Sequence, residues 1–259
     1  MDKNSFPVAV IDSGVGGVSV LKQLLKLMPN ENYLYFGDNK NAPYGTKTAK
    51  EVLELMLINA QAVLERGAKA IVIACNTATA AAALQLRQKY PDIPIIGIEP
   101  AIKPSARYKE HSNVLVMATP LTVKQNKFLE LVDRFSDEVN IYPLPCPGLM
   151  ELIEDGKTEG EELESFLDEL LVDFKNMKID SVVLGCTHYP HVKDAISDAL
   201  GGNVMIFDGG EGTAKETKRR LEEKGLLNSN KEQGKLIIEN SAKNPDFERL
   251  VMTLLKEKK

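Results

Sequence analysis

Two cysteines sit in matching surroundings. Ile71-Val72-Ile73-Ala74-Cys75-Asn76-Thr77 and Val182-Val183-Leu184-Gly185-Cys186-Thr187-His188 each run an apolar stretch into a small residue, a cysteine and polar followers. A thiol has an ordinary pKa of about 8.5, and its surroundings can move it in either direction, so it can serve as acid or as base. A helix N-terminus and nearby amides favour the thiolate. Two thiols that face one carbon from opposite sides can take a proton from one face and return it to the other. That is what inverting a stereocentre requires. A weakly acidic carbon also needs its developing carbanion held, and N–H groups and hydroxyls aimed at a neighbouring carboxylate do this. Ser13, Thr77 and Thr187 supply hydroxyls next to these motifs.

Elements must place these residues. Nine short runs rich in Val and Ile read as strands: Val8–Ile11, Tyr33–Phe36, Ala70–Ala74, Ile93–Ile98, Val114–Met117, Val139–Tyr142, Ser181–Leu184, Val204–Phe207 and Leu236–Ile238. Continuous apolar runs of this kind suit parallel strands covered on both faces, with crossover helices between them. Ala49–Arg66 and Glu161–Met177 carry helical spacing. The expected fold is α/β, with two pseudo-symmetric domains, mainly parallel sheets and a site in the cleft between them. A second echo supports duplication, since Val8-Ala9-Val10-Ile11-Asp12-Ser13 resembles Val114-Leu115-Val116-Met117-Ala118-Thr119. The expected domains are residues 1–98 with 208–259, and 99–207. The tail after the second half holds one strand and two helices, too little to stand alone, and is expected to complete the first domain.

In open parallel sheets, ligands bind beyond the carboxyl ends of the strands. Four polar clusters fall there: Asp12–Gly17, Gly37–Gly45, Cys75–Thr79 and Cys186–Pro190. The glycine-rich Asp12–Gly17 loop is either a phosphate cradle or a tight strand-to-helix turn, and no Walker lysine follows it. Asp12 reads as a helix N-cap or as a partner for Cys75. His188 is placed to assist Cys186, whereas His191 reads as helix surface and Cys146, in a proline-rich loop, as structural. A zinc site from Cys75, Cys186, His188 and Asp208 has suitable ligand types but lacks short ligand pairs. A two-lobed solute binder has no need of paired cysteines.

Bulk properties bound the rest. The chain has 259 residues, a net charge of −5 and three cysteines. The acidic balance argues against nucleic acid as a partner. The polar N-terminus lacks a signal-peptide pattern, and no apolar run reaches the roughly 18–20 residues that span a bilayer. A cytoplasmic protein with no membrane partner is expected. The terminal Lys-Glu-Lys-Lys reads as a solvated helix end.

Taken together, Ile11-Asp12-Ser13-Gly14-Val15-Gly16-Gly17, Ala42-Pro43-Tyr44-Gly45, Ala74-Cys75-Asn76-Thr77-Ala78 and Gly185-Cys186-Thr187-His188-Tyr189-Pro190 are similar to the motifs of the glutamate racemases of the aspartate/glutamate racemase superfamily. The resemblance covers essentially the whole chain. It implies interconversion of L- and D-glutamate without cofactor or metal, in a bacterial cytoplasm, supplying D-glutamate for peptidoglycan, by a homodimer. It implies Cys75 and Cys186 as the acid/base pair, assisted by Asp12, His188 and Glu154. Substrate contacts are then expected from Asp12, Ser13, Tyr44, Gly45, Asn76, Thr77, Thr119, Thr187 and His188. Other members of the superfamily act on aspartate, hydantoins or maleate, so the side-chain pocket decides the substrate.

Overall fold

The computed structural model describes residues 3–256, so the lysines of the expected solvated end at 258 and 259 lie outside the described residues. The chain divides into two compact units, one running to Glu99 and resuming at Gly210, the other spanning Pro100–Gly209. Each is a parallel α/β sheet. No helix among the described residues is long and apolar enough to cross a membrane.

The first unit orders its strands β4-β3-β1-β2-β9, where β1 is Val8–Asp12, β2 Tyr33–Gly37, β3 Ala70–Ile73, β4 Ile95–Gly97 and β9 Leu236–Asn240. All its ladders are parallel. Residues of β1, β2 and β3 are buried on both faces, as parallel strands between helix layers require. Val8, Val10, Tyr33, Tyr35, Ala70 and Val72 pack into one core with the helices Val18–Leu27, Gly210–Glu223 and Asp246–Lys256. The alternate residues face the other way, the side of the helices Ala49–Glu65 and Asn76–Lys89.

The second unit orders its strands β6-β5-β7-β8, with β5 Asn113–Ala118, β6 Asn140–Pro145, β7 Ser181–Gly185 and β8 Met205–Asp208, again all parallel. One topology serves both units. β1 and β5 hold the same central place, β2 and β6 one flank, β3 and β7 the other, with β4 and β8 beyond.

Some elements depart from the sequence expectation. β6 extends through Pro143 and Pro145, which an edge strand tolerates because the missing N–H costs no ladder bond. β4 shrinks to three residues after Pro94. The helical run Glu161–Met177 stops at Leu170 and tightens into a 3₁₀ turn at Val172–Phe174. That turn brings Phe174 edge-on to Tyr142, at 6.3 Å between ring centroids. His191 is not helix surface: Pro190 opens a 3₁₀ turn over Tyr189–Val192, the helix begins only at Lys193, and His191 is buried.

A buried ion pair pins the returning tail at the end of the first sheet opposite the cysteine. Lys69 Nζ lies 2.6 Å from Glu31 Oε2, with both side chains almost wholly out of solvent. The other Glu31 oxygen accepts the Asn228 N–H at 2.6 Å, and Lys69 also donates to the Asn4 carbonyl. Removing one member leaves an uncompensated buried charge. Lys69→Met is therefore expected to lower unfolding free energy by about 3–5 kcal/mol, measured by urea denaturation. A loss under about 0.5 kcal/mol, the size of an ordinary surface change, contradicts this role.

Candidate active site

The strand register places the first group of residues. Ile11 pairs with Ile73 across β1 and β3, so the next steps bring Ser13 beside Cys75. The Ser13 hydroxyl donates to Cys75 Sγ at 3.7 Å. Cys75 is the N-cap of the helix Asn76–Lys89, with extended backbone and its side chain not used for capping. The thiol thus sits at the positive end of a 14-residue helix. Asn76 and Thr77 form the first turn and are buried. Both polar atoms of the Asn76 amide are buried without a hydrogen-bond partner among the described residues, so a water or a polar ligand is needed to satisfy them.

Asp12 closes β1 and is buried. Its carboxylate accepts the Gly14 N–H at 2.9 Å, so it orders its own loop. It does not cap the following helix, whose N-cap is Gly17 with no side-chain bond. A Cβ on Gly17 would lie 2.6 Å from Asp12 Cβ and 3.0 Å from Ala74 Cβ. The glycine loop is thus the tight strand-to-helix turn rather than an open cradle.

Tyr44 lies in a 3₁₀ turn with Gly45, after a cis Ala42–Pro43 peptide. Its hydroxyl donates to Asp38 Oδ2 at 2.5 Å and accepts from Asn59 Nδ2 at 3.2 Å. Asn59 also donates to Asp38 at 3.0 Å, and Asn41 holds the second Asp38 oxygen at 2.9 Å. Burial first, then Asp38 and the charges of Cys75 and Asp12, push the Tyr44 pKa up. Tyr44 keeps its proton and directs it at Asp38, so its oxygen is left only accepting positions. Asp38 and Asn59 were not singled out from sequence. The available signal was an Asn on the buried stripe of the helix Ala49–Glu65.

The second group has the same backbone frame with different helpers. Ala118 pairs with Gly185 across β5 and β7, which sets Thr119 beside Cys186 as Ser13 stands beside Cys75. The Thr119 hydroxyl is engaged in capping: it accepts the Thr122 N–H at 3.2 Å and bonds the Thr122 hydroxyl at 2.9 Å. Cys186 is followed by a turn and a 3₁₀ segment, not directly by an α-helix. In place of a helix end it has His188. The imidazole Nδ1 lies 3.7 Å from Cys186 Sγ, and Nε2 lies 2.6 Å from Glu154 Oε1. Burial of this ring opposes protonation, but hydrogen bonds to Cys186 and Glu154 outweigh it and hold the pKa well above the usual value. As an imidazolium it donates in both directions. Thr187, the residue between them in sequence, is buried.

Cys146 follows β6 at the place Asp38 takes after β2, since Cys146 N–H donates to the Ala118 carbonyl and Asp38 N–H to that of Asp12, both at 2.9 Å. Its thiol donates to the Leu144 carbonyl, and burial, followed by the charge of Cys186, pushes its pKa up to about 12. It stays protonated. Among the described residues no group of three or more His, Cys, Asp or Glu side chains is arranged to hold a metal ion.

Residues 8–217 match the family model for Asp/Glu/hydantoin racemases. The chain belongs to this family and is an amino-acid racemase, an isomerase. Within the family it groups with the glutamate racemases. It is 50% identical over 257 residues to a glutamate racemase of Clostridium perfringens, covering 99% of both chains. It is 51% identical over 241 residues to one of Clostridium botulinum, covering 93% of both. Among solved structures, Francisella tularensis glutamate racemase in complex with D-glutamate aligns with a TM-score of 0.86 at 30% identity, over 98% of this chain and 95% of that one. Escherichia coli glutamate racemase with L-glutamate and the activator UDP-MurNAc-Ala aligns with a TM-score of 0.84 at 34% identity, over 96% and 94%.

The His188 pKa, raised in the folded state, makes its contribution to stability complete below the ordinary histidine value and lost as pH climbs through the raised one. Glu154→Gln is expected to move the His188 titration to lower pH, followed by NMR of the imidazole resonances. An unchanged titration contradicts the assigned pairing.

Proposed function

We propose that this chain interconverts L- and D-glutamate without a cofactor, with Cys75 and Cys186 as the acid/base pair. One observation carries the reading: two buried cysteines follow the same strand of the same topology, each with a hydrogen-bond partner on its sulfur. Relatives about half identical along the full chain are glutamate racemases. Two solved relatives hold opposite enantiomers of one amino acid.

The chemistry requires one thiol on each face of the α-carbon. A thiolate removes the α-proton and becomes a thiol, leaving a carbanion. The opposite thiol delivers its proton to the other face and becomes a thiolate. Atoms and charge balance without an external oxidant or base, and the reverse reaction exchanges the roles. Asn76, Thr77, Ser13 and the amides at the helix start are the donors available for the substrate carboxylate, whose growing charge they stabilise. The Tyr44 oxygen, restricted to accepting, suits an ammonium group. Thr187, Thr119 and Gly45 complete the expected contacts. His188, braced by Glu154, supports Cys186, while Asp12 and the helix N-terminus act on the Cys75 side. The two domains, residues 1–98 with 208–259 and 99–207, each contribute one thiol. In this reading the product serves peptidoglycan synthesis in a bacterial cytoplasm, and the active form is a homodimer.

Circular dichroism of purified protein with L-glutamate alone should show decay towards the racemate. Cys75→Ala and Cys186→Ala should each lower racemisation on the order of 10³-fold or more, in keeping with loss of a positioned acid/base group, with the fold retained. Substantial racemisation by either folded variant overturns the mechanism, and inversion of aspartate in preference to glutamate overturns the substrate.

A further inference from the structure

The loops that carry Asp12 and Asp38 rest on a part of the chain that no active-site motif includes. Tyr35, in β2, is fully buried and donates its hydroxyl to the Gly14 carbonyl at 2.8 Å. Gly14 is the residue whose N–H holds the Asp12 carboxylate. One tyrosine hydroxyl therefore holds the Gly14–Val15 peptide, one residue beyond Ser13. Behind Tyr35 stands Phe247, from the final helix Asp246–Lys256, with ring centroids 6.2 Å apart and planes 19° from parallel. This is the range of offset-stacked rings. The same Phe247 ring closes on Gly37, where a Cβ would lie 2.2 Å from Phe247 Cζ. Gly37 is the residue before Asp38, and only a glycine leaves room for this ring.

The turn ahead of the final helix ties to the same loop. Ser241 N–H donates to the Gly37 carbonyl at 3.0 Å, Lys40 N–H donates to the Ser241 hydroxyl at 3.0 Å, and Ala242 N–H reaches Asn39 Oδ1 at 3.4 Å. The returning arm of β9 and the last helix thus holds the loop at the end of β2 directly, and reaches the loop at the end of β1 through Tyr35. Among the described residues the second unit has no such arm, and β6 is an edge strand there.

We infer that Phe247 and Tyr35 are positioning residues for the Cys75 side of the site. The stacked pair fixes the Gly14 peptide, and through it the Ser13 hydroxyl on the Cys75 sulfur. That contact, at 3.7 Å, has little slack, because hydrogen bonds weaken steeply with distance and angle. Loss of the Phe247 ring opens a cavity beneath the loop, and a well-packed core closes such a space only in part. A loop displaced by about 1 Å can cost on the order of 10²-fold in rate. The kinetic consequence rests on the racemase reading, but the effect on Cys75 does not.

The test compares the two thiols within one molecule. The intact protein is alkylated with iodoacetamide across a pH series, and modification at Cys75 and Cys186 is followed separately by peptide mass spectrometry. Both cysteines are 7% exposed as whole residues, and each thiol is compared with itself in the parent. Phe247→Ala, Phe247→Leu and Tyr35→Phe are compared with the parent. Tyr35→Phe keeps both rings and removes only the tether to Gly14, so it decides the matter if Phe247→Ala does not fold. The expected result is alkylation of Cys75 slowed by about threefold or more at neutral pH, with its profile moved to higher pH, as a thiolate loses a donor. Cys186 should react as in the parent. The Phe247→Leu effect should fall between those of the parent and Phe247→Ala. Unchanged Cys75 alkylation in the folded variants overturns the inference, and so does an equal change at Cys186, which marks general loosening. If no protein in the series, parent included, racemises glutamate, the proposed function fails while the alkylation contrast still decides the positioning role.

Discussion

Both thiols owe their place to the end of a parallel ladder. A parallel pair in fixed register brings the residue past one strand beside the residue past the next, and a slip of one position turns each side chain to the other face. Ile11 opposite Ile73 puts Ser13 at Cys75, and Ala118 opposite Gly185 puts Thr119 at Cys186. Burial of β1, β3, β5 and β7 on both faces enforces that register, because a shifted strand cannot keep its Val and Ile side chains packed. Both cysteines therefore follow strands buried in the core of their unit.

On this common frame the two cysteines have different neighbours. Cys75 has a helix N-terminus and a serine hydroxyl, which are neutral dipoles and largely indifferent to pH. Cys186 has the His188 ring, whose protonation the Glu154 carboxylate favours. Thr119, the counterpart of Ser13, spends its hydroxyl on a helix cap. The topologies match, but the side-chain partners differ. Such divergence suits a reaction whose substrate is handed in one direction and its mirror image in the other, since the two faces of an amino acid are not equivalent once its carboxylate and ammonium are bound.

Much of this was legible in the sequence. Parallel strands read as unbroken apolar runs, so the frame was visible, and the paired cysteine motifs marked the carboxyl ends of β3 and β7. Less legible were features set by tertiary contact. The edge position of β6 lets prolines join a strand where pattern alone ends it. His191 is buried because a 3₁₀ turn delays the helix by several residues, which spacing does not reveal. The Asp38–Tyr44–Asn59 network joins a loop to a helix, and Phe247 reaches Gly37 from the far end of the chain. No local pattern records such a meeting. Only the oddity of an Asn on a buried stripe, or of a glycine inside a strand, hints that something must approach.

The central claim is that one sulfur removes the α-proton and the other delivers its replacement. It is tested most directly by following each glutamate enantiomer in deuterated water at early times. Two opposed thiols predict that the inverted product carries deuterium at the α-carbon while the remaining substrate keeps its hydrogen. Product that retains the original α-hydrogen, or substrate that exchanges as fast as it inverts, contradicts the account.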